Sequence, residues 1–168
     1  MFFPLHPETP PDGRSLATLF AGRGGDLEAM YQRMTRLMDA EGLPYGRRTH
    51  TFNSRLAQEL AKWADAVTGS QPLHDRFYRA YFVDGRNIGD VDVLVELAAS
   101  VGLRAEEARL VIDERRYKGA VDADWELSAR SGVTGVPTFV AGGHQVVGAQ
   151  SEEGLRQLMS AAGATARR

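Results

Sequence analysis

The sequence predicts an α/β fold in which strand material at the two ends of the chain brackets a block of helices. Three observations predict it. Apolar residues recur at helical spacing from Leu27 to Arg130, punctuated by capping residues and by glycine stops. Short apolar runs lie outside that block, at Phe2–Leu5 and on either side of Gly142-Gly143. Between the last helix of the block and the second strand region sits Thr134-Gly135-Val136-Pro137-Thr138-Phe139, with a proline where a strand should begin. Proline cannot donate to a sheet ladder, so it belongs at a strand's first residue or its edge. A cis Val136–Pro137 bond is one solution, because proline cuts the cost of the cis form. The backbone N–H and C=O of Val136 would then face outward, free to pair with an extended ligand. A plain helix-to-strand loop is the other.

In order along the chain, Phe2–Leu5 reads as a short strand, and Pro4 places it at an edge or a strand end. A proline-rich loop follows, closed by Asp12-Gly13. A short helix is expected at Ser15–Phe20, and Gly22-Arg23-Gly24-Gly25 interrupts the chain after it. That glycine run resembles a phosphate loop only superficially, since no lysine follows in register and no strand leads into it. Asp26 reads as an N-cap for a helix with Leu27, Met30, Tyr31, Met34, Leu37 and Met38 on one face. That methionine stripe is expected to be core. Gly42 stops the helix.

Residues 43–52 read as a loop or short extended piece carrying Arg47, Arg48 and His50. Asn53 is expected to cap the next helix, with Leu56, Leu60, Trp63, Ala64 and Val67 inward. Pro72 suits the first turn of another, with Leu73, Phe77, Ala80 and Tyr81 on its apolar side. Asp90 caps a third, with Val91, Leu94, Val95 and Ala98 inward and Gly102 as its stop. Glu106–Arg115 and Val121–Arg130 complete the block. The charges of Arg104, Glu106, Glu107 and Arg109, and of Asp113-Glu114-Arg115-Arg116, read as solvated helix faces. Asp122 and Asp124 do not share a helix face, which argues against paired-carboxylate catalysis. Beyond Pro137, strands at Thr138–Ala141 and Gln145–Val147 are joined through Gly142-Gly143. Ser151 then caps a terminal helix whose first turn carries Glu152 and Glu153.

Composition narrows the function classes. A chain of 168 residues is one domain, or one domain with an insertion, and is long enough to bury a core. The net charge of -2 gives no excess of Lys and Arg for nucleic acid. No stretch is long enough to span a bilayer, and Met1–Pro4 is too short and lacks the basic flank of a signal peptide. The cytoplasm is the expected location, with neither membrane nor nucleic acid as partner. Cysteine is absent, so this chain carries no disulfide, thiolate metal site or dithiol couple. His6, His50, His74 and His144 are scattered without ligand spacing, and no metal is expected.

Four segments together resemble a DsbA-type thioredoxin domain of the FrnE-like branch. They are Phe3–Gly13, Thr51-Phe52-Asn53-Ser54-Arg55-Leu56-Ala57, Gly132–Val140, and Gly148-Ala149-Gln150-Ser151, in family order. The resemblance implies a thioredoxin-like fold with its first strand missing. It divides the chain into an incomplete thioredoxin-like domain, residues 1–23 and 119–168, and an inserted helical domain, residues 24–118. It implies that Val136–Pro137 is the cis-proline bond beside the active site. Thr134, Gly135, Val136, Pro137 and Thr138 would then form the substrate-docking surface, with His50, Asn53 and Gln150 as candidates for lining the cleft.

One departure from the family is severe. The first strand and the Cys-x-x-Cys at the following helix N-terminus would lie before residue 1. Either the start is misplaced or the redox centre has been lost. The missing strand would lie centrally, leaving a gap at the inter-strand spacing of about 4.8 Å. The resemblance therefore implies that Phe2–Leu5 moves into that slot, or that a second copy fills it as a homodimer. The leading expectation is a thiol–disulfide oxidoreductase domain that docks an extended peptide or thiol substrate, binds no cofactor, and is inactive without its dithiol. Two alternatives stand beside it: a glutathione-dependent isomerase or kappa-type transferase relative, and a non-catalytic peptide-binding module.

Overall fold

The computed structural model describes residues 1–21, 26–69 and 71–164. The Gly22–Gly25 break and the terminal Arg167 and Arg168 lie outside the described residues. The chain divides into two compact units, one made of Met1–Leu5 and Ala123–Arg168, the other of His6–Asp122.

The larger unit opens with β1 (Arg14–Ser15), which pairs antiparallel with β2 (His50–Thr51) in the register Arg14 to Thr51. Ser15 caps α1 (Leu16–Phe20), its hydroxyl accepting the Thr18 amide at 3.0 Å. Asp26 caps α2 (Leu27–Ala40) by accepting the amides of Glu28 and Ala29. The helix begins where expected, but its methionine stripe is not core. No residue of α2 is buried, and Met30, Met34 and Leu37 are 45%, 41% and 48% exposed. Periodicity identified an apolar face; packing covers it only in part, with Tyr45 and Arg47 against Tyr31.

The core gathers around α3 (Arg55–Thr68), which packs against α4 (Gln71–Phe82), α5 (Val91–Ala99) and α6 (Ala105–Asp113). Ala57, Leu60, Ala61, Trp63 and Ala64 of α3 are buried, but Val67, expected inward, is 56% exposed near the helix end. Leu73, Phe77 and Ala80 of α4 are buried as their spacing predicts. On α5, Leu97 joins Leu94 and Ala98 in the core, while Val95 is only half-buried. Arg115 is not part of a solvated helix face. It follows the α6 C-cap at φ 51°, and its guanidinium binds the buried Glu59 of α3. By contrast Arg116 and Glu114 do form an exposed pair at 2.7 Å.

The smaller unit takes in most of α7 (Lys118–Arg130), then β3 (Thr138–Ala141), β4 (His144–Val147) and α8 (Glu152–Ala161). The hairpin register runs from Thr138–Val147 to Ala141–His144, with Gly142 and Gly143 both at positive φ in the turn. Phe139 and Val140 are exposed, so β3 is not the buried strand its apolar run suggested. Ser151 caps α8 through the Gly154 amide at 3.2 Å. Phe2–Leu5 is not a strand. The Phe2 amide donates to the Asp124 carboxylate at 2.8 Å, and the Leu5 amide turns back onto the Phe3 carbonyl at 2.9 Å. That tight turn around Pro4 takes up the backbone groups a ladder would need.

Candidate functional site

The loop of residues 132–138 is built from the end of α7 onward. Gly132 has φ 66°, its amide donates to Ala129 O at 3.0 Å, and the Val133 amide donates to Ser128 O at 3.0 Å. This pair of hydrogen bonds is a Schellman stop, which needs the left-handed conformation glycine adopts freely. Val133 is buried, so the loop leaves the helix from a fixed point. At its other end the Thr138 hydroxyl donates to Gly135 O at 2.6 Å, and the Gly148 amide donates to Pro137 O at 2.8 Å. The Val136–Pro137 peptide is cis.

Between these anchors Val136 is 48% exposed. Its N–H and C=O have no hydrogen-bond partner among the described residues. A backbone held at both ends with one unpaired donor and one unpaired acceptor can pair with an extended chain. Gln150 belongs to the same corner of this unit. Its amide donates to Val147 O at 3.0 Å and to Gly148 O at 3.3 Å, so it holds the turn that anchors Pro137. Thr134, Gly135, Val136, Pro137, Thr138 and Gln150 are thus brought together.

His50 and Asn53 belong to the larger unit and serve its local structure. His50 Nδ1 lies 2.9 Å from the Thr49 hydroxyl, and its ring stacks on Phe52. The Asn53 amide donates to Pro7 O at 2.9 Å and to Thr9 O at 3.2 Å, fixing the proline-rich loop. Its Oδ1 accepts the Arg55 amide at 2.9 Å. The helix cap position proper is Ser54, one residue beyond the expected Asn53, although the capping bond still comes from the Asn53 side chain.

The site holds hydroxyls and backbone groups but no thiol, since the chain has no cysteine. No group of His, Asp and Glu suited to a metal ion exists among the described residues. None of the described helices is long and apolar enough to cross a membrane. Residues that periodicity misassigned are Met34 and Met38, which line a cavity in the larger unit. The available signal was Arg48, a cation set in an aromatic neighbourhood with no carboxylate beside it in sequence.

The chain is similar to several known proteins. A sequence model of the DSBA-like thioredoxin domain matches residues 3–160. The crystal structure of a probable DsbA oxidoreductase from Streptomyces coelicolor is 34% identical, superposes with a TM-score of 0.83, and is matched over 99% of this chain and 75% of that one. A candidate protein disulfide isomerase from Nitrosomonas europaea, 17% identical, shares the fold with a TM-score of 0.60 over 77% of this chain and 70% of its own. The uncharacterized protein YwbO of Bacillus subtilis is 28% identical over 106 residues, which span 62% of this chain and 53% of that protein.

Proposed function

The chain belongs to the DSBA-like thioredoxin domain family, and from that premise we propose that it keeps the substrate-docking half of a thiol–disulfide oxidoreductase. Residues 1–23 and 119–168 are read as its thioredoxin-like part, and residues 24–118 as the helical insertion. The docking surface is the loop Thr134–Thr138, and its substrate is an extended peptide segment. A single observation carries this reading: Val136 is exposed, held between two anchored ends, and its N–H and C=O have no partner among the described residues. Two hydrogen bonds to an extended chain there would extend strand pairing from β3, with side-chain contact from Pro137 and Thr134.

Disulfide exchange requires a thiolate to attack sulfur, and this polypeptide supplies none. It therefore docks without reacting. The test joins two measurements on the 168-residue chain. In an insulin-reduction assay, turnover should stay at the uncatalysed background. In an amide NMR titration with an unfolded, thiol-blocked peptide, the Val136 and Gly135 signals should shift first. Turnover above background, or shifts that avoid residues 134–138, would overturn the proposal. The same reading leaves β3 with β4 as its one partner strand among the described residues. A second copy pairing along the other edge of β3 gives the homodimer, which sedimentation at rising concentration tests.

A further inference from the structure

The larger unit contains a cavity of about 1060 Å³. Its apolar wall comes from Met34 and Met38 of α2, Leu43 of the loop after it, and Tyr78 and Phe82 of α4. Small-molecule sites commonly occupy about 300–1,000 Å³ and are mostly apolar with a few placed polar groups. The polar groups here are uneven in sign. Arg48, Arg76 and Arg79 line the cavity, against the single carboxylate of Asp75.

Those arginines differ from several others of the unit. In the same unit Arg55 and Arg115 bind Glu59, Arg86 binds Glu96, and Arg109 binds Asp92. The side chains of Arg48, Arg76 and Arg79 form no ion pair among the described residues, Arg76 and Arg79 being exposed and Arg48 half-buried. Arg48 is the most constrained. Its guanidinium carbon sits 4.4 Å from the Tyr81 ring centre and 4.8 Å from that of Phe82, and its Nε is buried without an acceptor. The Tyr81 and Phe82 ring centres are only 4.8 Å apart, so both lie on one side of the guanidinium and leave its terminal N–H groups as the remaining hydrogen-bonding surface. A carboxylate matches the two terminal nitrogens of a guanidinium bidentately.

We propose that this cavity binds an amphipathic carboxylate, a fatty-acid-like molecule. Its head group pairs with Arg48 and Arg79, and its tail lies along Met34, Met38 and Phe82. Methionine suits such a wall, because an unbranched thioether side chain adapts to tails of different shape. The exposure of Met34 and the excess of arginine over carboxylate in the lining then share one cause.

Calorimetric titration of the full chain with dodecanoate, dodecanol and dodecyltrimethylammonium, all below their micelle concentrations, tests this. Dodecanoate should bind at least about tenfold more tightly than dodecanol, the discrimination expected of one charge-assisted hydrogen bond. Arg79→Gln should remove about that same tenfold for dodecanoate and leave dodecanol unchanged. Arg48→Gln should weaken dodecanoate at least as much. Because Arg48 also stacks on Tyr81 and Phe82, its thermal midpoint is measured alongside, and Arg79→Gln carries the test if that variant unfolds. No dodecanoate binding, equal binding of all three probes, or preference for the cation would each overturn the proposal. So would a concentration-dependent dimer abolished by Met34→Glu, which would assign the groove to a second copy.

Discussion

Glu59 is fully buried on α3, yet it is a carboxylate, and three hydrogen bonds explain its presence. Arg55 Nε donates at 2.5 Å, and Arg115 donates through Nε at 2.8 Å and Nη2 at 2.7 Å. Burial pushes its pKa up, but the hydrogen bonds and charges of Arg115 and Arg55 outweigh that and hold it below the ordinary 4.5. A depressed folded-state pKa stabilises above the unfolded value and is lost as pH falls through the folded one. Acid titration of stability should therefore show a loss beginning below about pH 4.5 that Glu59→Gln removes. Breaking a buried ion pair by deleting one partner costs about 3–5 kcal/mol, and the partial exposure of Arg115 argues for the lower end. Urea unfolding of Glu59→Gln should show a loss of about 3 kcal/mol; a loss under about 1 kcal/mol would mean the clamp is a surface pair in effect. Little of this was legible in the sequence. A glutamate between Gln58 and Leu60 reads as a break in the apolar pattern, and its partner Arg115 lies in a charge run that resembles solvent-facing polarity.

At the scale of elements, what could be read was what short-range chemistry dictates. Asp26, Asp90 and Ser151 each cap the helix that follows, because the Ncap bond needs only a side-chain oxygen and the next turn's amides. The β3–β4 hairpin was readable because Gly142-Gly143 supplies the positive φ its turn requires. Burial of α2 and a strand at Phe2–Leu5 were misread, because both depend on partners distant in sequence. Gly46 has a long-range reason of the same kind. Its amide donates to Phe82 O at 2.9 Å, and a Cβ there would meet Val83 O at 2.0 Å. Gly46→Ala must push the loop away from the end of α4 and should cost about 1–3 kcal/mol, read as a lower thermal midpoint. With no buried residue, α2 is held by its caps and by surface contacts, the Arg47–Glu28 pair and Tyr31 against Tyr45 and Arg47. Trypsin under native conditions should cut at Arg33 or Arg36 before any site in α3. Equal protection of both helices would show that α2 is covered in solution.

Over the whole molecule, apolar burial is unequally divided. Among the described residues, the buried hydrophobic side chains run from Ala57 to Val121 in the larger unit, whereas the smaller unit contributes Val133 and Leu158. Its hairpin leaves Phe139, Val140 and Val147 exposed, and two strands alone are marginally stable in water. Hydrophobic stabilisation scales with apolar area removed from water, so the two units cannot open with the same free energy. Hydrogen exchange followed by mass spectrometry at rising sub-denaturing urea separates them. Peptides covering residues 138–147 should exchange by local opening that urea barely accelerates. Those covering residues 55–64 should exchange through global unfolding with the full urea dependence. Binding should change only one of these. A thiol-blocked peptide docked at Val136 should slow the hairpin, while dodecanoate in the Met34 and Arg48 cavity should slow α2 and α4. Protection of both units by either ligand alone would show that one binding event spans them, and would merge the two proposed sites into one.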